Sequence, residues 1–224
     1  MFKQLIKPFL IHVPGVRHIL QQRDQLAAAL SQYKHRMQFE PGHFYSPISA
    51  LTDVEQRFAG LIDKSLTDIP GIDLNLAVQH HWCDRIANHY CDQPFQDIPT
   101  AGIRYYFDNQ TFVWSDALFL YGMLRELRPK RIVEVGSGFS SAVMLDTNER
   151  FCDGQIQMTF IEPFPDRLNN LLSDHDRQRC RIIESRIQDV SDAPWADLES
   201  GDILFIDSSH VSKCGSDVNQ LFFE

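Results

Sequence analysis

The stretch "RIVEVGSGFSSAVML" at residues 131–145 decides the fold of this chain. Its Val- and Ile-rich beginning predicts a buried strand, and its end predicts a helix. Gly136 and Gly138 lie between the two and fit the spacing G-x-G-x-x-small. Glycines let a ligand approach the backbone closely, and the first turn of the helix offers free N–H groups. A phosphate, a nucleoside or a tight turn without a ligand would each fit this stretch.

Three more strands are predicted beyond the first. The segments "IQMTFIE", "CRIIES" and "DILFID" are short apolar runs, and helical segments follow the first two strands of the series. This alternation predicts an α/β fold with a Rossmann-like, doubly wound, mainly parallel sheet over 129–224. Doubly wound sheets often have about six strands. We therefore expect the four readable strands to form a sheet that is incomplete at its C-terminal side.

The preceding residues, 1–128, are expected to form a helical N-terminal region. Apolar periodicity predicts helices at 15–38, near 52–63, at 74–90 and at 116–128. Prolines and glycines in "EPGHFYSPIS" and "DIPGID" separate these segments. The sequence thus predicts two regions that meet near residue 128.

Composition excludes several classes of partner. A net charge of −9 over 224 residues argues against nucleic acid, which binds to basic surfaces. No apolar run reaches the roughly 18 residues of a membrane span, although the basic N-terminus leaves a weak membrane-surface contact open. The chain has five scattered cysteines without a CxxC pair, which favours a reducing, cytoplasmic location.

Two glutamates of the predicted strands are candidate binding residues. Glu134 lies inside the first strand, where an unpartnered carboxylate would cost several kcal/mol. It therefore needs a backbone donor, a basic side chain or a cationic ligand. Glu162 ends the second strand, where a carboxylate can accept both hydroxyls of a ribose.

The end of the fourth strand carries further candidates. Asp207 and His210 follow that strand, and ligands bind at the carboxyl ends of strands in open α/β sheets. His210 is a candidate general base near neutral pH. A divalent cation held by Asp207 and Asp217 is open but not favoured, because hard cations need several oxygen ligands. A zinc site is also disfavoured, since metal-ligand spacing is missing from the group His80, His81, Cys83, His89 and Cys91.

These features resemble those of the class I S-adenosylmethionine-dependent methyltransferases, in particular bacterial proteins of methyltransferase family 24. The resemblance covers most of residues 40–224 and is carried by three stretches: "FYSPIS", "YYFDNQTFVWSDALFLYGMLRELRPKRIVEVGSGFSSAVMLD" and "GDILFIDSSHVSKCGSDVNQLFFE". Dinucleotide dehydrogenases usually lack an acid two residues before the first glycine. Glu134 therefore favours a methyl donor over NAD.

The resemblance implies an enzyme with S-adenosylmethionine as its cofactor. It implies that Glu162 binds the ribose, that Asp189 lies near the adenine, and that Asp207 faces the donor's amino acid end or a metal. It assigns the methionine portion to Glu134 and to the loop residues Gly136, Ser137, Gly138 and Ser140.

We therefore expect methyl transfer to an oxygen or nitrogen of a small molecule or glycan, without a metal. His210 is the first choice of catalytic base and Asp207 the second. Two alternatives stay open: a nicotinamide-dependent oxidoreductase on a similar sheet, and a non-catalytic module for SAM or nucleotide binding or for assembly. The sequence does not identify the methyl acceptor. It does not determine the oligomeric state either, and a homo-oligomer stays open.

Overall fold

The computed structural model describes residues 16–36, 39–43, 45–46, 48–52, 54–56, 69, 71–191 and 194–223. The chain forms two compact units that divide between Leu74 and Asn75. In the first unit, helix α1 spans Val16–Arg36, where the sequence predicts a helix over 15–38. The predicted helix near 52–63 is helical at 51–52 and 54–56, and its remaining residues lie outside the described ones.

The second unit contains the predicted sheet. Its strands are β1 (Arg131–Val135), β2 (Gln157–Ile161), β3 (Arg181–Ile183) and β4 (Ile203–Ile206). All pairings are parallel, and the strand order is β3-β2-β1-β4. The chain therefore winds outward from β1 to β3 and then returns to the other side of β1. This confirms the predicted α/β, doubly wound fold, with the change of direction between β1 and β4.

Six helices accompany the four strands in the described part of this unit. They are α2 (Leu76–Ala87), α3 (Trp114–Leu127), α4 (Phe139–Phe151), α5 (Asp166–Leu171), α6 (Asp174–Arg179) and α7 (Asp217–Phe223). Helix α2 is shorter than the predicted 74–90, because a separate 3-10 turn follows at Tyr90–Asp92. Helix α3 begins at Trp114 rather than at 116 and ends before Arg128, which adopts a left-handed conformation.

The predicted boundary near residue 128 falls inside the second unit. Helix α3 packs on α4, and α2 packs on α3. The inner face of α3 is buried at Ala117, Leu120 and Leu124, in the same core as Ile132 of β1. The alternation of strands and helices begins only after α3, so the sequence grouped α3 with the preceding helices, yet its buried face needs the sheet for burial.

Alternate residues of the central strands enter two different cores. Ile132 and Phe160 lie in the larger one, whereas Val133, Val135 and Ile161 lie in the smaller one. Successive strand side chains point to opposite faces, so both faces of β1 are covered. This burial explains why the strand sequences are continuously apolar rather than alternating. Among the described residues, no helix has the length and apolarity needed to cross a membrane.

Arg104 joins the segment before α3 to helices α4 and α6. Its guanidinium contacts Asp146 at 2.8 Å, Asp176 at 2.7 Å and Glu149 at 2.9 Å, and its side chain is 13% exposed. Burial raises the pKa of Asp146, whereas hydrogen bonds from Arg104 and Ser173 outweigh burial and lower that of Asp176. Arg104 thus supplies the charge that makes two buried carboxylates tolerable.

We expect Arg104→Met to reduce the free energy of unfolding by about 3–5 kcal/mol at pH 7.5, because Asp146 and Asp176 lose their cation. Without Arg104, burial raises both carboxyl pKa values in the folded state, so the variant loses stability as pH rises above about 4. The deficit relative to the parent protein should therefore be smaller at pH 5, as measured by urea unfolding. Arg150→Met is the matched control, because the exposed Arg150 donates to the Gly102 carbonyl and, among the described residues, forms no salt bridge. An effect as large as that of Arg104→Met would contradict this assignment.

Candidate functional site

A crevice of about 560 Å³ opens at the carboxyl ends of the four strands. Each strand end contributes to its lining: the glycine loop after β1, Glu162 after β2, Ser185 after β3 and Asp207 after β4. The crevice therefore lies at the change of direction in the sheet, where open α/β folds bind their ligands. Its volume falls within the range of roughly 300–1,000 Å³ that is common for small-molecule sites.

Gly136 is required by the protein backbone itself. It has a φ of +86°, and a Cβ at this position would lie 2.0 Å from the Asp207 carbonyl oxygen. Only glycine allows the end of β1 to approach the end of β4 so closely. The extended Gly138 is less constrained, since a Cβ there would meet only the flexible Arg167 side chain, at 3.1 Å.

Glu134 lies beneath the loop rather than in the crevice. Its side chain is completely buried, and its carboxylate accepts hydrogen bonds from Ser140 Oγ at 2.6 Å and from Ser141 Oγ. Burial raises the pKa of Glu134 to about 7, although the hydroxyls of Ser140, Ser141 and Ser137 oppose that rise. The sequence led us to expect a backbone donor, a basic side chain or a cationic ligand as its partner. The structure instead places serine hydroxyls there, two of them from the first turn of α4. Glu134 and Ser140 hold the loop against the sheet.

Ser137 and Glu162 meet at the centre of the crevice. The Ser137 backbone N–H donates to Glu162 Oε2 at 3.1 Å, and the Phe164 N–H donates to Oε1 at 2.9 Å. These two bonds fix the carboxylate while leaving lone pairs for a ligand. Ser137 Oγ is buried in the crevice lining and lacks a partner of normal hydrogen-bond geometry among the described residues, but its hydroxyl interacts with the Glu134 carboxylate and lowers the pKa of that group. Ser137 therefore lies between Glu134 beneath the loop and Glu162 in the crevice.

Asp207 and His210 form a pair at the end of β4. His210 Nε2 lies 3.0 Å from Asp207 Oδ1, and His210 has a left-handed backbone conformation. Asp207 lines the crevice, whereas His210 lines a neighbouring cavity between α3 and β4 and is largely exposed. The structure therefore brings the two predicted catalytic residues together, with Asp207 between the two cavities.

Asp189 is the predicted residue that lies apart from the others. It ends a 3-10 turn, and its carboxylate pairs with Arg186 at 2.7 Å instead of lining the crevice. Its neighbours Arg186, Ile187 and Gln188 form that part of the lining. The 3-10 turn that carries Asp189 thus lines the crevice through its other side chains.

The loop before α3 contributes lining residues that the sequence did not single out. Thr111 and Phe112 reach the crevice because the buried Asn109 accepts hydrogen bonds from both of their N–H groups. The Tyr105 hydroxyl donates to the Phe112 carbonyl at 2.8 Å. The dipeptide "DN" before "QTF" signals such a turn, since Asn side chains commonly bond to the backbone two residues on.

Three cations also line the crevice, so its surroundings are not purely acidic. They are Arg167, Arg186 and Lys213. Phe164, which is 80% exposed, completes the β2 side of the lining. The sequence signal for Phe164 is its position two residues after Glu162, where the chain leaves the sheet, and Arg167 follows in the first turn of α5.

The described residues contain one cluster with metal-ligand spacing, formed by Glu149, His175 and Asp176. Arg104 already binds both of its carboxylates, so the charge that a cation would need is neutralised. Asp217, the predicted second metal ligand beside Asp207, instead bonds to the backbone and hydroxyl of Ser209. Within the His–Cys group, His89 follows α2 and pairs with Glu126 of α3.

The raised pKa of Glu134 predicts a specific pH dependence of stability. The folded-state value of about 7 exceeds the ordinary 4.5, so this residue's contribution is present at acid pH and is lost as pH rises from 4.5 towards 7. Between pH 5 and pH 8 the free energy of unfolding of the parent protein should fall by about 2–3 kcal/mol relative to that of the non-titrating variant Glu134→Gln, as measured by urea unfolding. Glu184→Gln, an exposed change after β3, is the control. A difference between parent and Glu134→Gln that stays constant with pH would contradict the buried, hydroxyl-bound carboxylate.

The chain is similar to a solved structure and to one protein sequence. No protein-family profile matches it. A solved structure, of the SAH-bound methyltransferase PaMTH1 of Podospora anserina, is 16% identical with a TM-score of 0.27 and covers 64% of this chain. The chain spans about half of that structure, 54% of its length.

A protein of known sequence matches the chain more strongly. It is an uncharacterized protein of the archaeon Archaeoglobus fulgidus, 32% identical over 170 residues, which are 72% of this chain and 74% of the archaeal one. An identity of this size over most of both chains indicates common ancestry and a common fold. The chain belongs to the same protein family as this archaeal protein.

Proposed function

We propose that this chain binds S-adenosylmethionine in the crevice and transfers its methyl group to an oxygen or nitrogen of a small molecule or glycan. One observation carries the proposal: the glycine loop, Glu162 and Asp207 surround a single crevice at the change of direction in the sheet. These are the residues that the family resemblance assigns to the donor. When bound, the donor supplies a methyl group that is activated by a sulfonium.

The residues of the crevice suit the parts of that donor. The Glu162 carboxylate is oriented by two backbone N–H groups and has lone pairs left for ribose hydroxyls. The exposed ring of Phe164 offers a flat apolar surface for the base. The Ser137 hydroxyl, which lines the crevice, suits a polar group of the amino acid portion. Asp207 brings a carboxylate to the side where a sulfonium would lie.

The competing function is binding of a nicotinamide dinucleotide. Arg167 and Lys213 favour it, because cations in a crevice suit a pyrophosphate. The acids Glu162 and Asp207 favour the sulfonium nucleoside instead. Parallel calorimetric titrations with S-adenosylhomocysteine and NADH separate the two: a signal with NADH alone would replace the methyltransferase proposal.

We expect Glu162→Gln to weaken S-adenosylhomocysteine binding by about tenfold or more, since a charged acceptor for two hydroxyls becomes a neutral one. Isothermal titration calorimetry measures the change. The control is Glu184→Gln, the same substitution after the neighbouring strand β3, where the side chain is exposed and outside the crevice lining. Equal affinities of Glu162→Gln and the parent would remove Glu162 from the site.

Two serine variants distinguish binding from folding. Ser137→Ala removes a hydroxyl that lines the crevice and interacts more weakly with Glu134 than the Ser140 hydroxyl does, so ligand affinity should fall about five- to tenfold while stability falls by less than about 1 kcal/mol. Ser140→Ala removes a donor to the buried Glu134 and should cost about 1–3 kcal/mol of stability. Urea unfolding and calorimetry on both variants test this division. The opposite pattern would make Ser137 a structural residue.

A further inference from the structure

A separate cavity of about 710 Å³ lies between the segment 99–106 and helices α4 and α5; we call it the α4–α5 cavity. Its floor is apolar, because Ile103, Phe139 and Leu171 are half-buried there and pack on the larger core. Tyr106 adds an aromatic wall, with its ring centroid 5.1 Å from that of Phe139. A space of this size with an apolar floor is typical of a small-molecule site.

Two hydrogen-bond donors of α5 stand at the edge of this floor. Arg167 and Asn170 are exposed, and they share one face of the helix because they lie three residues apart. Neither side chain forms an ion pair or a hydrogen bond with any other residue that the structure describes. Arg167 thus places a cation without a described counter-ion beside an apolar surface.

The other charged groups of the lining already bind each other. Arg104 donates to both carboxylate oxygens of Glu149, at 2.9 and 3.0 Å. Its remaining N–H groups donate to Asp146 and Asp176, so all five donors of this guanidinium are used. Arg104 is therefore unable to bind a ligand, and the acids around it would repel an anion.

The acids and the available cation lie at different ends of the cavity. Glu149 follows Phe139 by ten residues on α4, which is about 15 Å along the helix axis. Arg167 lies at the Phe139 end, since a Cβ at Gly138 would be 3.1 Å from its Cδ. Charges separated by more than the Debye length of about 8 Å are largely screened at physiological ionic strength. The Arg167 end of the cavity therefore favours an anionic group, and the floor beyond it favours an apolar one.

We propose that the α4–α5 cavity binds an elongated apolar carboxylate, such as a fatty or arylalkanoic acid. Its carboxylate accepts hydrogen bonds from Arg167 and Asn170, and its apolar body covers Ile103, Phe139 and Leu171. Hydrogen bonds between a guanidinium and a carboxylate are roughly twice as strong as neutral ones, and the apolar body adds about 25 cal/mol for each Å² that it buries. This ligand is additional to the S-adenosylmethionine proposed for the crevice, so the inference goes beyond the proposed function.

The new site adjoins the crevice without coinciding with it. Arg167 and Phe139 line both spaces, whereas Glu162 and Asp207 line the crevice and not the cavity. We therefore expect the full chain to bind the carboxylate and S-adenosylhomocysteine at the same time.

The test compares 4-phenylbutyrate with 4-phenylbutan-1-ol, which keeps the apolar body and lacks the charge. We expect calorimetry on the full chain to show that the acid binds at least about tenfold more tightly than the alcohol. Arg167→Gln should weaken binding of the acid about tenfold and change binding of the alcohol by less than about twofold. Asn170→Ala should weaken binding of the acid about threefold and leave S-adenosylhomocysteine affinity unchanged, because Asn170 lies outside the crevice lining.

Lys213→Gln is the matched control, since it removes a cation that lines the crevice and not the cavity. Equal affinities for the acid and the alcohol, or equal losses in Arg167→Gln and Lys213→Gln, would overturn the proposal. Complete displacement of the acid by S-adenosylhomocysteine would place the acid in the crevice and would also overturn it. A chain that binds the acid as expected but does not bind S-adenosylhomocysteine would remove the proposed function and uphold the carboxylate site.

Discussion

The close approach of the ends of β1 and β4 is the constraint on which the site depends. A Cβ atom at position 136 would lie only 2.0 Å from the Asp207 carbonyl oxygen, so a residue with a side chain does not fit there. The Gly136 N–H donates to Ile161 at 3.0 Å, and the Asp207 N–H donates to Val135 at 2.9 Å. The glycine thus lets three neighbouring strand ends stay hydrogen-bonded up to the point where the chain turns. The crevice begins where these bonds end.

Buried polar groups then hold the loops around this point. Glu134 ties the first turn of α4 to β1 through Ser140 and Ser141. Asn109 organises the segment that carries Thr111 and Phe112 to the rim. A buried polar group stabilises one arrangement only when its partners are in place, so these bonds specify loop positions that apolar packing would leave variable. The crevice is therefore formed by the protein before any ligand binds.

Asp207 lies between two adjoining cavities of the second unit. It lines the crevice and the cavity between α3 and β4, and it holds His210 at 3.0 Å. The lining of the crevice includes both acids and cations, whereas most of the lining of the neighbouring cavity is apolar. A change in the end of β4 would therefore affect both cavities.

The sequence by itself determined the sheet, because short apolar runs alternating with helical segments have few other ways to bury their side chains. It also located Glu162, Asp207 and the glycine loop, since strand ends in a parallel sheet converge at one edge. Only the tertiary structure decided that α2 and α3 belong with the sheet, that Glu134 bonds to two serines, and that Asp189 pairs with Arg186. These outcomes depend on which side chains meet across distant segments. Local patterns of hydrophobicity and charge do not determine which side chains of distant segments come into contact.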